Sequence, residues 1–290
     1  MKEIIRVQKP IVKQNILDKI ITYFNPVKGR DRLRSRMQMA AVTGGYTGAS
    51  KSRRSLKEWI TRGNDADSDI LPDLDTLVER SRDLSRNAPV AGGAISTVCT
   101  NVVGTGLKLQ AAIDRDFLNL SEDQADAWEA TTEREFKLFA ESQECDIRRT
   151  QNFYSLQELV FRSSLESGDV FVLLPHIERE GSVYNLKLQV IEADRISNPN
   201  NAIDSMTIAG GVEKDKFGAP TFYHIQKAHP GNSISFKREW DKIPAFGSKT
   251  GRRNVIHLYT MERPGQSRGI PYLAPVIEPL KQLERYTDAE

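Results

Sequence analysis

Four carboxylates are spaced as a metal-dependent hydrolase would space them. Glu166 and Asp169 stand in "ESGD", Glu192 and Asp194 in "IEAD", and both stretches border segments whose apolar residues alternate as in β-strands. Carboxylates gathered at strand ends can hold Mg2+, which activates water against a phosphodiester. The same residues commonly serve as turn acceptors and ion-pair partners. Two expectations follow: a nuclease site of Glu166, Asp169, Glu192 and Asp194, or ordinary salt bridging.

Other chemistry finds less support. "HIQKAH" sets His224 and His229 five positions apart on a strand running into a loop, which points them to opposite faces rather than at one zinc ion, and His176 and His257 stand alone. "VVGTGLKL" holds a GxG at Gly104 and Gly106, but no third glycine follows, and its helix-to-strand context is the reverse of a dinucleotide-binding turn. Neither GxxxxGK[ST] nor GxSxG occurs. Cys99 and Cys145 lack a CxxC partner and read as buried thiols. No cofactor, metal or enzymatic activity is expected, which favours a structural or binding protein.

The net charge of +2 on 290 residues is unevenly shared. Through Arg62 there are 15 Lys or Arg against 4 Asp or Glu, a net +11, which leaves −9 for the remainder. A basic arm of this kind meets nucleic acid, an acidic partner or a membrane surface, or stays hydrated. Within it, "VKQNILDKIITYF" (12–24) places Val12, Ile16, Ile20 and Phe24 on one face of a helix. Docking on its own protein or on a neighbour is the commoner fate of such a face, with a membrane surface as the rival. No apolar run is long enough to cross a bilayer, and the N-terminus lacks a signal-peptide layout.

The elements that position these groups are legible from Asp73 onward. "LDTLVERSRDL" gives a helix with Leu74, Leu77, Val78, Ser81 and Leu84 inward, broken at "RNAP". The next helix is expected to start with Asn87 as N-cap and Pro89 in its first turn, to bury a stripe of Val90, Ala94, Val98 and Val102 flanked by Ala91 and Ile95, and to end at Gly104 or Gly106 before a strand. "SEDQADAWEATTEREFKLFAES" opens with a Ser121/Gln124 capping box and turns Trp128, Phe136 and Phe139 inward. A helix ending at Gly168 follows. The period then changes to two: "DVFVLL" pairs antiparallel with "NLKLQVIEAD", "GGVEKDKFGAPTFYHIQ" forms a hairpin, and "RRNVIHLYT" is a last strand. The fold class is α+β, with helices first, an antiparallel sheet after, and a helix leaving at the C-terminus.

Five blocks carry a resemblance to a known family. In order, "RSRDLSRNAPVAGGAISTVCTNVVGTGLKLQ", "LQELVFRSSLESGDVFVLL", "LKLQVIEADRI", "GGVEKDKFGAPTFYHI" and "NVIHLYTMERPGQSRGIPYLAPVIEPLKQLERYTDAE" resemble successive blocks of the lambda-type bacteriophage portal proteins, and the similarity extends back to about Phe24. The resemblance implies a dodecameric ring at one capsid vertex. Through its channel a separate terminase drives double-stranded DNA, and the ring later joins head to tail. The partners implied are copies of the chain itself, DNA, terminase, capsid or scaffold protein and head-completion proteins, with no membrane. The implied locations are the host bacterial cytoplasm during assembly and then the portal vertex of the virion. An acidic or neutral channel wall would let DNA slide where a basic one would hold it.

On that resemblance, residues 1–62 form a basic helix and arm, 63–262 a portal-like wing domain, and 263–290 a loop and the start of the stem helix, with the rest of the stem, the clip and the crown absent. A C-terminally truncated product or an incomplete reading frame is the corresponding expectation. In "RPGQSRGIP", Gly265 and Gly269 permit a sharp change of direction, Pro264 and Pro271 stiffen the flanks, and Arg263, Gln266 and Arg268 pin the loop to its own domain or to the next subunit. Pro279 is expected to kink the helix that carries Leu273, Val276, Ile277, Leu280 and Leu283. "RSRDLSRN", with Arg80, Arg82, Asp83, Arg86 and Asn87, is a second polar assembly element. Gly104, Gly106, Gly168, Asp169, Glu192 and Asp194 complete the motif positions. The alternative to a portal subunit is a DNA-binding module acting through the arm, or the nuclease.

Overall fold

A computed structural model describes residues 15–42, 46–50, 53–232 and 238–289. The chain divides into two compact units, Met1–Gly63 and Asn64–Glu290. In the first, α1 (Ile16–Phe24) and α2 (Pro26–Val42) meet at Asn25 as a helical hairpin. Asn15 caps α1 through a reciprocal box with Asp18. Residues 12–14 of the expected helix lie outside the described residues.

The second unit opens with α3 (Ala66–Asn87), capped by Asp65, whose side chain accepts from the Ser68 amide. Ala66, Ile70, Leu74 and Val78 form a buried stripe at fourfold spacing, so the helix starts a full turn and more before Asp73. Pro72 hid that start. It sits on the exposed side of the helix, where its missing N–H leaves one carbonyl to water.

Ala88, extended because a proline follows it, both ends α3 and begins α4 (Pro89–Val102). Asn87 is therefore not an N-cap; it is the last residue of α3 and donates to Asp83 Oδ1 at 2.7 Å. The buried face of α4 is also turned from the expected stripe. Ala91, Ile95 and Cys99 are buried, while Val90 and Val102 are exposed. The cause lies at Gly92, where a Cβ would stand 2.8 Å from the Ser85 carbonyl, so α3 crosses α4 against a bare backbone.

After left-handed Gly104 and Gly106 no strand forms. Instead helix side chains take the amides of this segment: Gln157 Oε1 accepts from Leu107, Glu133 Oε1 from Ala111 and Glu129 Oε1 from Ile113. Past the short α5 (Arg115–Leu118), α6 (Glu122–Glu141) opens on the expected Ser121/Gln124 box. Phe136 and Phe139 pack edge-on with Phe153 and Tyr184, but Trp128 stays half exposed. α7 (Phe153–Ser167) ends at Gly168, φ +87°.

The strands divide between two antiparallel sheets. β1 (Asp169–Leu173) is the centre of the first, between β2 (Gln189–Ile191) and a strand from near the end of the unit. β3 (Ile208–Ala209), β4 (Val212–Lys214), β5 (Pro220–Gln226) and β6 (Trp240–Pro244) form the second. β7 (Val255–Tyr259) then closes the first sheet, setting Phe171 opposite His257. Phe171, Ile191, Val212, Tyr223, Ile225 and Val255 make the core shared by the two sheets. β6 escapes sequence reading because it is an edge strand with Asp241 and Lys242 exposed and no apolar alternation.

α8 (Ile277–Ala289) packs Ile277 and Leu280, together with buried Leu273, against Leu84, Ala91 and Ile95. Pro279 is its third residue. The amides of a first turn have no intrahelical acceptor, so this proline removes no bond, and the expected kink has no cause.

Candidate functional site

The stretch Arg263–Pro271 links β7 to α8; its first three residues are exposed and Gln266–Gly269 are buried. Gln266 organises it: its Oε1 accepts from the Glu262 and Arg263 amides at 2.9 and 3.3 Å, and its Nε2 donates to the Arg268 carbonyl at 2.7 Å. Tyr259 Oη donates to the Gln266 carbonyl. Gly265 takes φ +82° in open space, so its freedom serves the turn. Pro264 is exposed and Pro271 buried.

Three ties fasten this loop to the body. Arg263 donates to Asp69 Oδ2 at 2.6 Å and to the Asn64 carbonyl. The Ser267 amide and hydroxyl donate to the two oxygens of Asp67 at 2.7 and 2.6 Å, and Lys214 Nζ donates to both Asp67 and the Ser267 hydroxyl. The third tie is Arg268, which is 5% exposed. Its Nε and Nη2 donate to the two oxygens of Asp169, its Nη1 to the Ile196 and Gly210 carbonyls, and its Nη2 also to the Ala193 carbonyl. All five guanidinium hydrogens are thereby used.

Asp169 is the hub of the site. Besides Arg268 it accepts from the Gly269 amide at 3.2 Å and lies 3.1 Å from His257 Nε2. Burial alone would raise its pKa; the Arg268 charge and the hydrogen bonds from His257 and Arg268 outweigh it and hold the carboxyl well below the usual range. His257 is pushed the other way from a free imidazole's ease of protonation: burial, reinforced by the Arg268 charge, lowers its pKa against the pull of Asp169. The imidazole is stacked between Phe171 and Tyr259, at 4.1 and 4.3 Å between centroids.

Gly269 serves a close approach rather than the turn expected of it. A Cβ on it would collide with the Gly168 carbonyl, and one on Gly168 would meet the backbone of Gly269 and Ile270. The end of α7 and the loop before α8 thus touch main chain to main chain.

The four carboxylates are not gathered at one point. Asp169 belongs to the Arg268 cluster. Asp194 is held by two nitrogens of Arg82, which also donates to Ser167 Oγ. Glu166 accepts from Ser85 Oγ at 2.8 Å and lies 3.7 Å from Arg162, and Glu192 is exposed, 3.6 Å from His229. Among the described residues no set of three or more His, Cys, Asp and Glu is placed to hold a metal ion. His224 meets Glu213 at 2.9 Å, apart from His229. Of "RSRDLSRN", Arg82 is the structural member; Arg80 and Arg86 are exposed, and Asp83 faces Arg86 and Lys281 at 3.8 and 3.9 Å. Cys99 and Cys145 are free and buried. No helix among the described residues is long and apolar enough to cross a membrane.

Sequence reading missed Asn64, Asp67, Asp69, Lys214 and His257. For His257 a signal existed: in "VIHLY" it shares a strand face with Tyr259, directly opposite the β1 residues that Asp169 begins.

Fold and site define a class, an α+β domain whose polar loop residues lock its own elements together and lead into a C-terminal helix. Comparison with known proteins gives the family. The sequence pattern of the phage portal proteins of the lambda family matches residues 52–290. Portal protein B of Escherichia phage lambda is 27% identical over 259 residues, and the portal protein of Escherichia phage N15 24% over 259; each alignment covers 88% of this chain and 47% of the relative. A probable portal protein of Halomonas phage phiHAP-1 is 26% identical over 249 residues, 83% of this chain and 45% of the relative. The chain belongs to the lambda family of phage portal proteins, and it spans about half the length of these curated relatives.

Proposed function

We propose that this chain is a structural portal subunit that assembles with copies of itself into a ring, twelve by family resemblance, around a passage for double-stranded DNA between head and tail. The match over residues 52–290 carries this reading. In it, residues 63–262 are the wing, and 263–290 are the junction and the start of the stem. The Asp67–Ser267, Asp69–Arg263 and Asp169–Arg268 ties support the junction role, because they fix the loop before α8 to α3 and to the central strand β1. Terminase, capsid or scaffold protein and head-completion proteins are the partners of such a ring, in the host cytoplasm and then in the virion. The chain itself does no covalent chemistry.

Disrupting its gene in the phage genome that carries it should yield heads without DNA, and DNA-filled heads would overturn the reading. A Mg2+-dependent cleavage assay addresses the enzymatic rival. Asp194→Ala is the suitable control, since Asp169→Ala would unfold the clasp. Cutting that Asp194→Ala abolishes would favour a nuclease.

A further inference from the structure

The hairpin of α1 and α2 is built with its polar side inward. Asp18, 4% exposed, accepts from Arg32 Nε at 3.2 Å and from Arg36 Nη1, and caps the Asn15 amide. Thr22 packs so tightly on Gly29 of α2 that no Cβ fits there. Asp18 and Thr22 therefore define the inner face of α1. At about 100° per residue, Ile16, Leu17, Ile20, Tyr23 and Phe24 fall in one stripe of about 120° centred directly opposite that face. The stripe is bare: Ile16 is 78%, Tyr23 84% and Phe24 81% exposed, and Val27 extends it onto α2. Helical hairpins ordinarily close on their apolar stripes. This one closes on an ion pair and presents its apolar stripe outward, which is the arrangement of a docking element.

Charge selects the occupant. Around the stripe the described hairpin carries Lys19, Lys28 and Arg34, with Arg30 beside Asp31 at 3.9 Å and Arg32 and Arg36 already paired to Asp18. The segment through Arg62 is +11 and the remainder of the chain −9. Two copies of such a chain attract head to tail, and a head-to-tail contact repeats around a ring. We propose that the outward stripe of α1 docks on the acidic 64–290 unit of a second copy, so that each subunit is clamped by its neighbour's N-terminal hairpin. This rests on the self-association proposed above.

The test uses the full chain. A photoreactive benzoylphenylalanine replaces Phe24, and equal amounts of 14N- and 15N-labelled protein are mixed and irradiated. Mixed-isotope adducts joining position 24 to residues in 64–290 are expected. The double variant Ile20→Asp, Phe24→Asp, altered only at exposed positions, should weaken association at least about tenfold in sedimentation, and rising salt should weaken the wild type. Adducts of one isotope only would place the stripe on its own chain and overturn the proposal, as would capture only by added phosphatidylglycerol vesicles. Association that the double variant leaves unchanged would overturn the docking while leaving the ring intact. A wild type that stays monomeric throughout would sink both.

Discussion

Asp169 and Arg268, 99 residues apart, meet as a buried two-bond pair at 2.6 and 3.1 Å that joins the first residue of the central strand to the loop before the last helix. Removing one partner strands the other charge away from water. Arg268→Ala should cost about 3–5 kcal/mol and lower Tm by on the order of 10 °C. Arg268→Lys should recover little, because an ammonium has three donors and no planar fork. A urea melt followed by circular dichroism reads both, and a loss under about 1 kcal/mol would contradict this picture.

Stability should fall on the acid side, in two stages. His257 is depressed below its ordinary 6.5, so its contribution is complete above that pH and is lost as pH falls through its lowered folded value. Asp169 is depressed below 3.8, so its contribution is complete above that pH and disappears only in stronger acid. Melting temperatures followed from pH 8 down to about pH 2 should decline first below 6.5 and again below 3.8. His257→Gln should remove the first stage and leave the second.

The two loop glycines should respond differently to alanine. Gly265 has space but a left-handed backbone, so Gly265→Ala should cost about 1 kcal/mol. Gly269→Ala drives a methyl into the Gly168 carbonyl and should cost at least about 2–3 kcal/mol. Equal losses in parallel thermal melts would refute the close-approach account.

Arginines that look equivalent in "RSRDLSRN" should separate in a double-mutant cycle. Arg82 and Asp194 should couple by about 1–2 kcal/mol, since both are mostly shielded and share two hydrogen bonds. Arg80→Ala, at an exposed site, should stay within about 0.5 kcal/mol of wild type.

Much of this fold is legible because local rules agree with the tertiary structure. The Ser121/Gln124 box, the Gly168 stop and the strands at Asp169, Val212, Pro220 and Val255 all follow from caps and alternation. The misreadings occur where a neighbour decides. α4 turns its Ala91–Ile95–Cys99 face inward because bare Gly92 lets α3 approach, and 107–113 lacks a strand partner because glutamates from α6 reach its amides first. In the site, the importance of Arg263, Gln266 and Arg268 was legible, but Asp67, Asp69 and Lys214 were not. Their spacing from the loop, up to 200 residues for Asp67, leaves no local trace.

The contact between Gly168 and Gly269 bears on how load passes through the molecule. Side chains yield by changing rotamer, whereas two main chains in contact can yield only if a strand or a helix end shifts. A pull on α8, carried back along residues 270–276, therefore meets the start of β1 at a backbone contact rather than through side chains. Movement of the last helix should therefore be felt at the central strand.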